Sequence, residues 1–126
     1  MSKLLDIEIA GLPPSVNSMY RTGRNGNRYK KAEISEWQEE VSGEIRRAWS
    51  SERPYMGEVA VRVMFTVKGN RRWDLDNRLK ALLDCLQAGG AIKDDAQIFG
   101  LIAGKYAGEN SSTRLIMYKY TWLQVK

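Results

Sequence analysis

Between Arg71 and Gln97 the chain reads RRWDLDNRLKALLDCLQAGGAIKDDAQ. Asp74 and Asp76 stand two residues apart, Lys80 follows Asp76 by one helical turn, and Asp94 and Asp95 close the stretch. The chain has no histidine. The commonest general base and the commonest transition-metal ligand are therefore both missing. Any ion bound here must be held by oxygen, which points to Mg²⁺, with Mn²⁺ or Ca²⁺ as the other candidates. If the chain returns after the helix, Asp95 comes back beside Asp74 and Asp76. Three carboxylates drawn together in a partly dry site repel each other, and a divalent cation relieves that repulsion. On this reading the acids hold metal and the surrounding bases hold phosphate.

Each of these residues also has a plainer use. Asp74, Asp76 or Asn77 could cap the helix, and one cap needs only one of the three. Lys80 could form an i,i+4 surface ion pair with Asp76 or with Asp84. An Asp-Asp pair in a turn is ordinarily solvated. Other paired-aspartate motifs match poorly. A haloacid-dehalogenase motif needs an apolar strand directly before the first aspartate, and here GNRRW precedes Asp74. An EF-hand needs an oxygen ligand at its fifth position, where this chain has Arg78. A glycosyltransferase DxD motif needs a nucleotide-binding βαβ unit that 126 residues do not supply here.

The elements that must position these residues follow from periodicity. Residues 4–10 alternate apolar and acidic from Leu5 to Ile9, as a strand with one wet face does. GLPPSVNSMY breaks that strand, because proline cannot donate to a ladder. RTGRNGNRYKK then reads as an exposed basic loop or short hairpin. Ile34, Trp37, Val41, Ile45 and Ala48 form the apolar stripe of a first helix. Residues 58–67 alternate strictly, with Val59, Val61, Val63, Phe65 and Val67 on one face. Leu75, Leu79, Leu82, Leu83 and Leu86 form a second helical stripe, stopped by Gly89-Gly90. Residues 97–106 and 113–123 read as two more strands joined by the turn-rich AGENSS, which could form a hairpin. The order β-α-β-α-β-β predicts an α+β, two-layer domain with two main helices on one side of a mixed sheet.

Length predicts a single domain over residues 1–126. The lone cysteine, Cys85, suits a reducing compartment and is expected to be packed inside a helix. The N-terminal stretch lacks the apolar run of a signal peptide. No stretch approaches the ~18 continuous apolar residues of a membrane span, so a soluble cytoplasmic protein with no membrane partner is expected. The net charge is +5. Residues 1–31 carry six bases against two acids, with Arg21, Arg24, Arg28, Lys30 and Lys31 grouped together. A field of that sign favours a polyanion.

Together, DLDNRLK, the later DDAQ and the N-terminal LPPSVNSMYR resemble the signature of RusA-type Holliday junction resolvases. The similarity runs through nearly the whole chain in the same order. It implies a homodimeric, Mg²⁺-dependent endonuclease, with Mn²⁺ a possible substitute, that cuts branched four-way DNA symmetrically. It places the metal-binding aspartates on Asp74, Asp76 and Asp95 and the catalytic lysine on Lys80, with Asp94 as the neighbouring acid. Phosphodiester hydrolysis then needs a metal to activate water, and Lys80 to neutralise developing charge. Arg71 and Arg72, with the five bases of the N-terminal loop, would follow backbone phosphates. Trp73 stands where relatives often carry a base; it could stack on an unpaired base at the crossover or pack at the rim of the core. Two rivals remain at this point: a non-catalytic junction-binding module whose acids only cap the helix, and a nuclease for flaps or forks.

Overall fold

A computed structural model describes residues 2–14, 20–22, 28–30, 32–69 and 75–121, with backbone alone at 20–22, 28–30, 32, 33 and 77. Strand β1 (Lys3–Ala10) is followed by two short strands, β2 (Tyr20–Thr22) and β3 (Arg28–Lys30). Helix α1 (Ala32–Trp49), strand β4 (Val59–Lys68) and helix α2 (Asp76–Ala88) come next. A single 3₁₀ turn, Asp95–Gln97, leads into β5 (Ile98–Gly108), and β6 (Ser112–Lys119) completes the order. The basic segment is a hairpin in which Tyr20 pairs with Lys30 and Thr22 with Arg28.

The main sheet has four strands in the order β1-β6-β4-β5. β6 runs antiparallel to both β1 and β4, whereas β5 runs parallel to β4. A parallel neighbour requires a crossover connection, and α2 supplies it. Strict alternation along β4 sends Val59, Val61, Val63, Phe65 and Val67 to one face, where all five are buried. They meet Val41 and Ile45 of α1 and Leu79, Leu82, Cys85 and Leu86 of α2 in one core, joined by Leu5, Ile9, Leu115 and Met117. The mixed α+β architecture with two main helices is thus the one that the periodicities imply. Cys85 is fully buried, and its thiol donates to the carbonyl of Ala81 at 3.2 Å.

The expected hairpin between the last two strands does not form. β4 lies between β5 and β6 and pairs with both. β4 has the most completely buried apolar face of any strand, so it gains most from an interior position with both edges paired. The three residues Glu109–Ser111 must cross about 9.6 Å, twice the ordinary strand spacing, which three extended residues can do. They pass the end of β4, where the Lys68 amide donates to Ser111 Oγ at 3.2 Å. A turn of that length looks the same in sequence whether it joins neighbours or skips a strand. On the far side of the sheet, Asp6 accepts from Arg114 Nη2 at 2.7 Å and from Lys3 Nζ at 2.9 Å. Those bonds, Arg114 first, hold the Asp6 carboxyl well below the usual carboxylate range.

The two helices are tied where α2 ends. Arg46 Nη2 donates to the carbonyl of Ala88 at 3.0 Å, satisfying a helix-terminal acceptor. Gly89 packs directly against α1: a Cβ there would lie 2.7 Å from Ile45 Cγ2 and 2.8 Å from the Ser42 carbonyl oxygen. Gly89→Ala should therefore lower stability by about 1–3 kcal/mol through overpacking. Urea denaturation would measure this; an unchanged midpoint would show that the helices separate freely there.

Candidate active site

α2 begins at Asp76, and the preceding residue, Leu75, already has helical backbone angles (φ −60°, ψ −46°) and makes no side-chain capping bond. Asp76 is therefore in the first turn and is not the cap. Its exposed carboxylate sits at the positive end of the helix dipole. Lys80, one turn further on, is also exposed and lies 3.8 Å from Asp84. Arg78, on another side of the helix, donates from Nη1 to the Pro13 carbonyl at 2.8 Å. That bond ties the start of α2 to the Pro-Pro segment that leads into the β2–β3 hairpin.

The chain returns toward α2 because Gly89 and Gly90 stop the helix. The Gly89 amide donates to the Cys85 carbonyl at 2.8 Å, and Gly90 adopts φ +80°, which suits a residue without Cβ. Buried Ile92 then pairs with Tyr55 in an isolated parallel bridge. Asp94 caps the following 3₁₀ turn: its Oδ1 accepts from the Ala96 amide at 2.9 Å, in a reciprocal capping box with Gln97. That bond, with Asp95 as a second contributor, holds the Asp94 carboxyl below its ordinary range. Both aspartates are exposed, and the capping bond gives Asp94 a structural task.

A cavity of about 360 Å³ is lined by Asp76, Leu79, Lys80, Leu83, Asp84, Asp95, Ile98 and Leu101. The α2 residues recur at helical spacing and run from Asp76 to Asp84, roughly 12 Å along the axis. Leu79, Leu83, Ile98 and Leu101 supply the apolar part of its lining. A larger cavity, about 410 Å³, opens between α1 and α2 at Gln38, Ser42, Asp84, Cys85, Gln87 and Ala88. It has one carboxylate and no lysine, whereas the smaller cavity combines three carboxylates with a lysine.

The structure therefore brings Asp76, Lys80 and Asp95 to one cavity. Asp74, Arg71, Arg72, Trp73, Arg24 and Lys31 lie outside the described residues. Arg21, Arg28 and Lys30 fall on the β2–β3 hairpin, of which the backbone alone is described. Among the described residues no three His, Cys, Asp or Glu side chains converge to hold a metal. The donor chemistry fits a hard divalent ion: Asp76 and Asp95 are exposed carboxylates with no cationic partner among the described residues. Asp84, one of the two ion-pair partners that the sequence offered Lys80, is the one the structure pairs with it, and it also shares the cavity face. The capping role of Asp94 escaped the sequence reading. The spacing of Asp94 and Gln97 is that of a capping box.

Comparison with known proteins adds an independent finding. The family model described as Endodeoxyribonuclease RusA matches residues 11–117. The chain is similar to the Crossover junction endodeoxyribonuclease RusA of Aquifex aeolicus (strain VF5), at 26% identity over 100 residues and 75% of each chain. It is also similar to the Crossover junction endodeoxyribonuclease rusA of Enterobacteria phage HK97, at 33% identity over 85 residues, covering 68% of this chain and 69% of that one. The matched segment contains the hairpin, α2 and the Asp94-Asp95 turn, and on that extent the chain belongs to the RusA endodeoxyribonuclease family.

Proposed function

We propose that this protein resolves four-way DNA junctions by paired, symmetric phosphodiester hydrolysis that depends on Mg²⁺, with Mn²⁺ as a substitute. The observation that carries the reading is the meeting of Asp76, Lys80 and Asp95 on one cavity in a member of an endodeoxyribonuclease family. Both relatives are named as crossover junction nucleases. A divalent cation, when bound, lowers the pKa of water and draws charge from a phosphate. Asp76 and Asp95 would hold it, with Asp74 completing the set. Lys80 would face the developing negative charge as a fixed cation.

The bases of the hairpin, Arg21, Arg24, Arg28, Lys30 and Lys31, with Arg71 and Arg72, would contact phosphates and bind with little sequence choice. Trp73 would stack at the crossover. A homodimer suits a substrate with two equivalent strands to cut. In support, edge strand β5 exposes Ile102 and Tyr106 on the face of the sheet opposite the cavity, apolar surface of the kind that assembly covers. No described helix is long and apolar enough to cross a membrane, and the single buried cysteine suits a reducing cytoplasm.

The test is a cleavage panel of a four-way junction, a flap and a plain duplex, each with Mg²⁺ and with EDTA. Symmetric incision of the junction in Mg²⁺ alone is expected. Preferential cutting of the flap would reassign the substrate. Binding without incision under every condition would leave a junction-binding module instead.

A further inference from the structure

Gln97 has no part in that mechanism, yet its side chain is heavily hydrogen-bonded beside the cavity. An amide offers one oxygen with two acceptor positions and two N–H donors. All four are used. Oε1 accepts from the Lys93 amide at 2.7 Å and from the Asp94 amide at 2.9 Å. Nε2 donates to the carbonyls of Tyr55 at 2.7 Å and Gly57 at 2.9 Å. The Gln97 backbone amide also donates to the Asp94 carbonyl at 3.0 Å. Both peptide groups of Asp94, the residue before Asp95, are thus held by Gln97.

The other end of the clamp is itself anchored. Tyr55 donates its amide to the Ala91 carbonyl at 2.9 Å and bridges Ile92. Tyr55 and Gly57 lie just before β4, the central strand. A turn that would otherwise be a mobile surface loop is therefore fastened to the segment entering the sheet. We propose that Gln97 is a positioning residue, which acts through the backbone of the turn to hold the Asp95 carboxylate over the cavity. The inference rests on Asp95 being a metal-holding acid. Glutamate cannot replace the amide, because its carboxylate has no proton to give and would face two carbonyl oxygens.

The test uses the full chain with Mn²⁺ alone, titrated by electron paramagnetic resonance, alongside cleavage kinetics and thermal melting. Gln97→Glu and Gln97→Ala should weaken Mn²⁺ binding about 10- to 100-fold, the usual loss when the support of a ligand is removed. The fall in kcat should reverse as Mn²⁺ is raised, with KM for the junction unchanged. Unchanged Mn²⁺ affinity in folded Gln97→Glu would overturn the role of Gln97. So would loss of cooperative melting in both variants, which would mark Gln97 as a residue of the fold. Asp95→Asn separates this from failure of the site. If that variant keeps full Mn²⁺ affinity and cleavage, the assignment of Asp95 falls, and the role of Gln97 with it. If it is impaired while Gln97→Glu is not, only the role of Gln97 falls.

Discussion

Asp76→Asn should reduce the single-turnover rate of junction cleavage by about 10³-fold or more, equivalent to roughly 4 kcal/mol of transition-state stabilisation. Asparagine keeps the shape of the side chain and loses its charge, so the expected defect is in holding the cation. The structure removes the main alternative cause. Asp76 is exposed and is not the cap of α2, which makes no side-chain capping bond at Leu75. Losing its charge costs the helix only the dipole interaction, about 0.3–1 kcal/mol. Melting should therefore shift little. Junction binding should survive or tighten, because one negative charge facing DNA phosphates has gone. A rate within about tenfold of wild type would remove Asp76 from the chemistry, since that margin is worth only ~1.4 kcal/mol.

Lys80→Met should lower kcat by about 10²-fold, near 2.7 kcal/mol, while leaving Mn²⁺ affinity intact. Methionine preserves much of the aliphatic stem and removes the ammonium. The structural use of Lys80 is its contact with Asp84 at 3.8 Å, and both side chains are partly exposed, at 58% and 32%. A surface pair of that kind contributes about 0–1 kcal/mol. Loss of the pair alone would therefore appear as a small change in melting with normal cleavage. The combination of slow cleavage, normal metal binding and normal melting identifies Lys80 as the cation acting on the phosphate. Normal cleavage with reduced melting would return it to its ion pair.

Much of this fold was legible because its signals are local. A period of two along Val59–Val67 and periods of three to four along α1 and α2 report which face of each element is buried, whatever lies opposite. The β2–β3 hairpin was one of two options that the glycines and asparagines left open. The pairing of β5 and β6 was misread, because a short turn carries no information about a third strand. That choice belonged to β4, whose buried apolar face gains from partners on both edges.

The candidate site divides in the same way. Residue types and spacing by themselves determined which groups could do chemistry: acids without histidine, a lysine one turn after Asp76, a second acidic pair beyond the helix. They also carried the family resemblance. Whether each acid serves the fold or the cavity was decided only by tertiary structure, because one carboxylate can do either and its neighbours in space select. Asp94 became a cap when the Ala96 amide reached it, and Asp95 was left exposed on the cavity. Gln97 gained its importance from Tyr55 and Gly57, some forty residues earlier, through hydrogen bonds that exist only once the turn lies against the segment entering β4.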